Sequence, residues 1–164
     1  MKATGIVRRI DDLGRVVVPK EIRRTLRIRE GDPLEIYTDR EGGIILRKYS
    51  PIGELSQFSK QYAEALAQNT GYIVSITDRD QHIAVAGAGK KDLAKKAISR
   101  QMDTLMNQRE SLLAVKGERK FIPITEDGGE NYTAQVIYPI IAEGDAIGTV
   151  ILTTKDDKVR MGEM

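Results

Sequence analysis

Residues 4–19 read TGIVRRIDDLGRVVVP and carry the clearest structural signal in the chain. Two runs of this stretch, Thr4–Ile10 and Arg15–Val18, are rich in residues that favour β-strands. The loop between them, Asp11–Gly14, has aspartate at its start and glycine at its end, and both residue types favour turns. The stretch therefore predicts a β-hairpin.

A short helix and a second hairpin follow within the first 50 residues. The helix is predicted over Lys20–Arg27, with Ile22 and Leu26 one turn apart on the side that faces a core. The strands of the second hairpin are predicted over Leu34–Thr38 and Ile44–Lys48. A ββαββ unit of this size buries little apolar surface, so we expect it to be stable only in association with a second copy.

The charge of the chain is unevenly distributed. The net charge over all 164 residues is +2, but residues 1–29 hold 9 basic and 3 acidic side chains. Most of these basic residues are arginines, whose planar guanidinium group matches phosphate oxygens and guanine edges. Charge alone leaves two interpretations open, a solvated basic surface and a nucleic-acid-binding surface.

The run Leu13-Gly14-Arg15-Val16-Val17, followed by Pro19, is specific enough to indicate a family. With its surroundings, up to about Tyr49, it closely resembles the AbrB family of transition-state regulators. The resemblance implies a swapped-hairpin β-barrel, in which two chains exchange hairpins to form one head that binds double-stranded DNA. It also implies DNA contacts at the matching arginines, which are Arg8, Arg15, Arg23 and Arg24.

A second domain is predicted over residues 51–164, with a boundary at Ser50 and Pro51. It begins with an amphipathic helix that ends near Gly71 and carries one apolar face, formed by Leu55, Phe58, Tyr62 and Leu66. The further predicted elements are strands Tyr72–Thr77 and His82–Ala86, helix Asp92–Arg109, and strands Lys120–Ile124, Thr133–Ile141 and Ala146–Thr153. This αββαβββ order predicts an antiparallel sheet with helices beside it, and an α+β fold class.

With this domain attached, the chain resembles the sporulation branch of the family, which carries a C-terminal GAF-like domain for sensing or oligomerisation. The resemblance implies homodimers formed through residues 1–50 and a tetramer assembled through the GAF-like domain. GAF domains of this kind usually end in a long helix, whereas the chain ends ten residues after Thr154, so we expect that helix to be missing.

The composition excludes several classes of site. The chain has no cysteine and a single histidine, His82, which excludes thiolate ligands, multi-histidine metal sites and cysteine nucleophiles. No apolar run approaches the ~18 residues that a membrane span needs. We therefore expect no catalytic residues, no metal, no cofactor and no membrane partner, and an enzyme is the least favoured class.

Some features of the second domain have two interpretations. Gly87–Lys91 is interpreted as a turn rather than a phosphate cradle, because the spacing of a P-loop is absent. His82 is interpreted as a surface histidine or one with satisfied hydrogen bonds. Glu126–Glu130 is interpreted as a solvated loop, with a lid over a pocket as the alternative. Three aromatic residues are interpreted as core residues, with a ligand cavity as the alternative: Tyr62, Tyr72 and Tyr138.

The resemblance predicts a cytoplasmic, nucleoid-associated regulator that activates and represses sporulation genes in the forespore. Three classes stay open: a regulator whose second domain senses a small molecule, one whose second domain only assembles the oligomer, and an antitoxin-like DNA-binding protein whose C-terminal part binds a partner protein. A folded second domain counts against the antitoxin, because antitoxin tails are usually short and disordered. The sequence identifies neither an operator nor a ligand.

Overall fold

A computed structural model describes residues 4–158 and residue 161. The chain divides into two units, unit 1 (Met1–Tyr49) and unit 2 (Ser50–Met164). Unit 1 contains helix α1 (Lys20–Leu26) and the antiparallel pair β1 (Leu34–Thr38) and β2 (Ile44–Lys48). The two strands of this hairpin have the predicted bounds, and the helix ends one residue earlier than predicted.

The first predicted hairpin is not formed as a ladder in the single chain. The Asp11–Gly14 turn is present, because the backbone N–H of Asp11 donates to Arg15 O (3.0 Å) and that of Gly14 to Asp11 O (3.0 Å). The flanking runs, Thr4–Ile10 and Arg15–Val18, contain no strand, so this prediction is wrong for the single chain. An isolated two-stranded hairpin is at best marginally stable in water, and the described residues of unit 1 leave residues 4–17 exposed.

Unit 1 has almost no core. Among its described residues only Pro19 is buried, and α1 contains no buried residue. The predicted core-facing side of α1 is therefore wrong for the single chain, since Ile22 is half-buried and Leu26 is 54% exposed. The apolar residues that define these elements are left in contact with solvent.

Unit 2 is built on one five-stranded antiparallel sheet with the strand order β4-β3-β7-β6-β5. In chain order its elements are α2 (Pro51–Glu54), α3 (Ser56–Thr70), β3 (Ile73–Thr77), β4 (His82–Ala86), α4 (Arg100–Gln108), β5 (Leu112–Val115), β6 (Ala134–Ala142) and β7 (Asp145–Thr154). Helix α3 packs on one face of the sheet through Ala63, Leu66 and Ala67. The other face is covered by α4, through Met102 and Met106, and by the loops on either side of it. The α+β fold class is confirmed.

The second predicted helix of unit 2, Asp92–Arg109, is confirmed in its second half and wrong in its first half. Helix α4 begins at Arg100 rather than near Asp92, because the Ser99 hydroxyl oxygen accepts a hydrogen bond from the Met102 N–H (3.0 Å) and caps the helix there. Before the cap, Lys95 has a left-handed backbone (φ 62°) and Ile98 forms a β-bridge with Thr125, so this part of the chain cannot continue a helix.

The strand predicted over Lys120–Ile124 is also absent, and its residues form a loop. Its apolar side chains pack on the α4 face of the sheet as irregular chain, with Ile124 fully buried. The edge strand is instead β5, which pairs with β6 in antiparallel register.

Candidate nucleic-acid interface

Two of the four predicted contact arginines, Arg8 and Arg15, flank the Asp11–Gly14 turn. Asp11 holds this turn, because its Oδ1 accepts the backbone N–H groups of Leu13 (3.0 Å) and Arg15 (2.7 Å). Its Oδ2 accepts the Nε–H of Arg15 at 2.7 Å, in an exposed ion pair. The backbone and side-chain hydrogen bonds from Arg15 lower the pKa of the Asp11 carboxyl. The aspartate therefore stays ionised and holds the Nε of Arg15 in place.

The guanidinium group of Arg15 remains available beyond this ion pair. Only its Nε–H is used by Asp11, and 70% of the side chain is exposed, so its terminal N–H groups face solvent. Arg8 is exposed as well, and its Nη1 donates only to the carbonyl oxygen of the preceding residue, Val7, at 3.3 Å. Both arginines can thus reach a ligand from either side of one turn.

The other two predicted contact residues, Arg23 and Arg24, are neighbours on α1. Arg24 is exposed, whereas Arg23 is half-buried. Among the described residues, no partner satisfies the buried Nε–H of Arg23. A buried donor of this kind is normally paired in the functional state of a protein. In the single chain the structure thus places the four arginines as two pairs, one at the turn and one on the helix.

Sequence reasoning missed one residue of this surface, Asp11. The sequence places Asp11 in the turn alone, and its ion pair with Arg15 becomes visible only in the folded turn. Two further arginines of unit 1 lie on the other hairpin. Arg40 is exposed in the β1–β2 turn, and the guanidinium carbon of Arg47 lies 5.0 Å from the centre of the Tyr37 ring.

His82 in unit 2 is a buried histidine with satisfied hydrogen bonds, so of the two predicted forms the surface histidine is wrong. It is only 1% exposed, its Nε2–H donates to Ile124 O (3.2 Å), and its Nδ1 accepts the hydroxyl of Ser75 (2.7 Å). A carbonyl oxygen only accepts hydrogen bonds, so Nε2 carries a proton, and the ring is neutral when Nδ1 accepts the Ser75 hydroxyl. Burial lowers the pKa of His82, which supports the neutral form.

The turn interpretation of Gly87–Lys91 is confirmed, and the phosphate cradle is not supported. The segment leads into one turn of 3-10 helix, and the carboxylate of Asp92 lies beside Gly89, where it pairs with Lys155 at 2.7 Å. A carboxylate against Gly89 would repel a phosphate cradled by the backbone of this turn.

The structure also tests the interpretations of the Glu126–Glu130 loop and of the three tyrosines of unit 2. Glu126–Gly129 is exposed, and Asp127 pairs there with Lys96 at 2.8 Å, which agrees with a solvated loop. The core interpretation of the tyrosines is wrong for Tyr62 and Tyr138, which are 55% and 63% exposed, and Tyr72 is half-buried.

Comparison with known proteins identifies the family to which the chain belongs. Residues 54–164 match the family described as "Stage V sporulation protein T C-terminal, transcription factor". Stage V sporulation protein T of Bacillus subtilis (strain 168) is 54% identical over 164 residues, which is 100% of this chain and 90% of the relative. The chain belongs to the stage V sporulation protein T family. Membership makes it a regulator of transcription associated with sporulation.

Three further similarities concern parts of this family member. The transition state regulatory protein AbrB of Bacillus subtilis (strain 168) is 42% identical over 112 residues, 68% of this chain and 97% of AbrB, so the resemblance to that family is confirmed. Residues 7–54 also match the family "Antidote-toxin recognition MazE, bacterial antitoxin". Among solved structures, the cofactor-binding GAF domain of the nutrient sensor CodY from Clostridium difficile is 18% identical, with a TM-score of 0.46 over 66% of this chain and 81% of that domain. No helix in the described part of the chain is long and apolar enough to span a bilayer.

Proposed function

We propose that two copies of unit 1 form one DNA-binding head, and that the chain regulates sporulation genes by sequence-selective binding to duplex DNA. The head is proposed to act at the nucleoid in the cytoplasm, as an activator at some genes and a repressor at others. The observation that carries the proposal is that unit 1 lacks a core of its own while its predicted contact arginines lie in the same short sequence.

Pairing of two copies explains the apolar surface of unit 1. Its most exposed large apolar side chains are Val7 (85%), Leu13 (70%), Val17 (70%), Ile44 (69%), Ile36 (67%) and Ile10 (66%). Fully burying one such side chain contributes about 1.5–3 kcal/mol, so covering several of them would supply the stability that one copy lacks. An intertwined dimer would also give the first hairpin strands to pair with.

The proposed dimer presents eight contact arginines, four from each copy. If all eight met phosphates, the slope of log affinity against log salt would approach about −7, from roughly −0.9 for each neutralised phosphate. Arginines that read base edges supply discrimination of ~1–3 kcal/mol per bidentate pair instead. We expect both kinds of contact, and therefore a shallower slope. DNA shape and deformability are proposed to supply part of the selectivity.

Unit 2 is proposed to assemble these dimers into a tetramer through α3. Three of the four residues of the predicted apolar face are exposed, Leu55, Phe58 and Tyr62 at 57%, 56% and 55%, whereas Leu66 packs on the sheet. The rings of Phe58 and Tyr62 lie 5.0 Å apart, and Leu55 and Phe58 line an open groove at the start of the helix. A monomer rarely leaves such a patch exposed, so this face favours association.

A sensing role is the finer proposal for unit 2. Two fully buried polar groups, Tyr132 Oη and Gln135 Nε2, have no hydrogen-bond partner among the described residues. Buried groups of this kind are normally satisfied by protein, water or a ligand. Thermal-shift screening of the full chain against small metabolites should reveal a ligand if these groups bind one, and Gln135→Leu should abolish that shift.

The antitoxin alternative has one observation in its favour, the match of residues 7–54 to an antitoxin family. That match covers the head and hardly enters unit 2, which is a folded sheet domain rather than a short tail. Co-purification from the native host tests this alternative, because a toxin bound to unit 2 would be recovered with the chain.

The proposed DNA contacts are tested by single Arg→Ala substitutions at Arg8, Arg15, Arg23 and Arg24. Each should lower affinity at fixed salt well beyond the effect of the control Arg40→Ala, which removes the same charge from the second hairpin. Arg8→Ala and Arg24→Ala are the cleanest, because these side chains are exposed in the single chain. Circular dichroism checks folding, and equal losses at Arg24 and Arg40 would contradict the proposal.

A further inference from the structure

A second concentration of positive charge lies in unit 2. We define the basic segment as residues 90–100, sequence KKDLAKKAISR, which holds 5 basic residues and 1 acidic residue. The rest of residues 51–164 holds 9 basic and 15 acidic residues, a net charge of −6. The basic segment therefore stands out against an acidic domain, and the arginines of unit 1 do not account for it.

The backbone of the basic segment is held in place by buried side chains and by backbone hydrogen bonds. Leu93 and Ile98 are buried in the core at 0% and 4% exposure. The His82 N–H donates to Lys96 O (2.9 Å), the Lys95 N–H donates to His82 O (3.1 Å), and the Ile98 N–H donates to Asp80 O (2.9 Å). The charged side chains are consequently presented from a fixed backbone, which lowers the entropy lost when they bind a ligand.

Three of its cations are left without an ion pair in the described part of the chain. Asp92, the one acidic residue of the segment, forms an ion pair with Lys155 at 2.7 Å, and Lys96 forms one with Asp127 at 2.8 Å. Lys91, Lys95 and Arg100 are exposed. The internal pairing thus leaves three solvent-facing positive charges on one short stretch.

The character of this surface indicates its partner. Its larger apolar residues, Leu93 and Ile98, are buried, and it contains no aromatic residue. A protein partner would be expected to need an apolar or aromatic anchor at the centre of the contact. A polyanion needs only charge, and a DNA duplex carries one phosphate per ~1.7 Å of its axis. Charge complementarity without an apolar anchor fits a phosphate backbone.

We propose that the basic segment of unit 2 is a second DNA-contacting surface, which binds the phosphate backbone of the duplex through Lys91, Lys95 and Arg100. The proposal rests on the proposed function of the chain as a DNA-binding regulator. Contacts of this kind carry no base information, so they raise affinity for every sequence alike.

The test compares two triple variants of the full chain that remove the same charge from unit 2. The segment variant is Lys91→Gln, Lys95→Asn and Arg100→Gln, where asparagine suits the left-handed backbone at position 95 (φ 62°). The control variant is Lys116→Gln, Arg119→Gln and Lys120→Gln, at exposed positions of another loop. Affinity for a sporulation promoter and for an unrelated duplex is measured across a salt series.

The segment variant should show a salt slope shallower by up to about 2.7 for each chain that engages the duplex, and equal losses of affinity on both duplexes. The control should keep the wild-type slope. An unchanged slope in the segment variant, or an equal change in the control, would overturn the inference. So would loss of binding to phosphatidylserine vesicles with an unchanged DNA slope, which would assign the segment to a membrane.

Separate controls test whether the variants fold and whether the proposed function is correct. The charge-retaining variant Lys91→Arg with Arg100→Lys should keep the wild-type slope, and Lys91→Glu alone should lower it if the triple variant does not fold. If the wild-type chain binds no DNA, the proposed function itself is wrong. If the wild-type chain binds DNA and the segment variants keep its slope, only the present inference is wrong.

Discussion

His82 lies at the start of β4, where burial has removed its imidazole from water. Its two ring nitrogens are occupied by Ser75 Oγ and Ile124 O, so protonation would break the hydrogen bond from Ser75 and place a charge in the core. Burial is the main cause of its lowered pKa, and the more distant charges of Glu130 and Asp78 only partly oppose that effect. A single buried residue thus couples the stability of unit 2 to pH.

We predict that the chain loses stability as pH falls from about 7.5 to 5.5. Since the pKa of His82 is lower in the folded state than its ordinary value of about 6.5, the unfolded chain binds more protons in this window. The slope contributed by one group is at most about 1.4 kcal/mol per pH unit. Urea unfolding followed by circular dichroism measures it.

His82→Gln is the control for this prediction, because it removes the only histidine of the chain. The carboxyl groups whose pKa is lowered, Asp11, Asp92 and Asp127, reduce stability only when pH falls toward about 4, below this window. The variant should be less stable at neutral pH but nearly independent of pH between 7.5 and 5.5. An equal slope in both proteins would contradict the assignment to His82.

The identities of the proposed contact residues are visible in the sequence, whereas their environments are not. The family motif gives Arg15 and the helix gives Arg23, but only the folded chain shows Arg15 bound by Asp11 and the Nε of Arg23 buried. Such pairings depend on turn geometry and on packing against other elements, neither of which residue type or spacing determines.

At the scale of elements, the sequence predicts the bounds of a helix or strand best where its residues favour one type of structure throughout. The β-rich runs that form β3 and β4 lie within one residue of their predicted bounds. The helix predicted over Asp92–Arg109 is too long because Ile98 and Met102 have helical spacing. In the structure Ile98 lies in a β-bridge, and of these two residues only Met102 lies in α4. Strand β5 was missed because a four-residue edge strand gives little periodicity.

Helix α3 gives a prediction at the same scale. Phe58→Glu should lower the oligomer order of the chain, because it places a carboxylate in the exposed apolar face that is proposed to assemble dimers. The stability of unit 2 should change by only a few tenths of a kcal/mol, since Phe58 is 56% exposed in the single chain. Light scattering measures the mass of the assembly.

Gln68→Glu is the matched control, because Gln68 is an exposed polar residue on the same helix and the substitution adds the same charge. It should leave the mass unchanged. The same mass for wild type and Phe58→Glu would show that α3 is not an assembly surface.

The whole molecule combines one unit that has a core with one that does not. Every buried residue of the two hydrophobic clusters belongs to unit 2, so unit 2 has a core of its own. Unit 1 has the secondary structure of a small domain but exposes residues such as Val17 and Ile36 at 70% and 67%. Its folding is consequently expected to depend on the concentration of a second copy.

We predict that residues 1–50 have no stable folded monomer. The thermal midpoint of this fragment should rise with protein concentration, because association of two copies supplies the buried apolar surface that one copy lacks. Val17→Asp should abolish folding, because the dimer is expected to bury this side chain. If Val17, which is 70% exposed in the single chain, stayed exposed in the dimer, it would tolerate aspartate. The control Arg40→Ala should have the thermal midpoint of the wild type. Circular dichroism gives the midpoints and sedimentation gives the mass. A concentration-independent midpoint with the mass of one chain would mean that unit 1 is stable alone, despite an almost complete lack of buried residues.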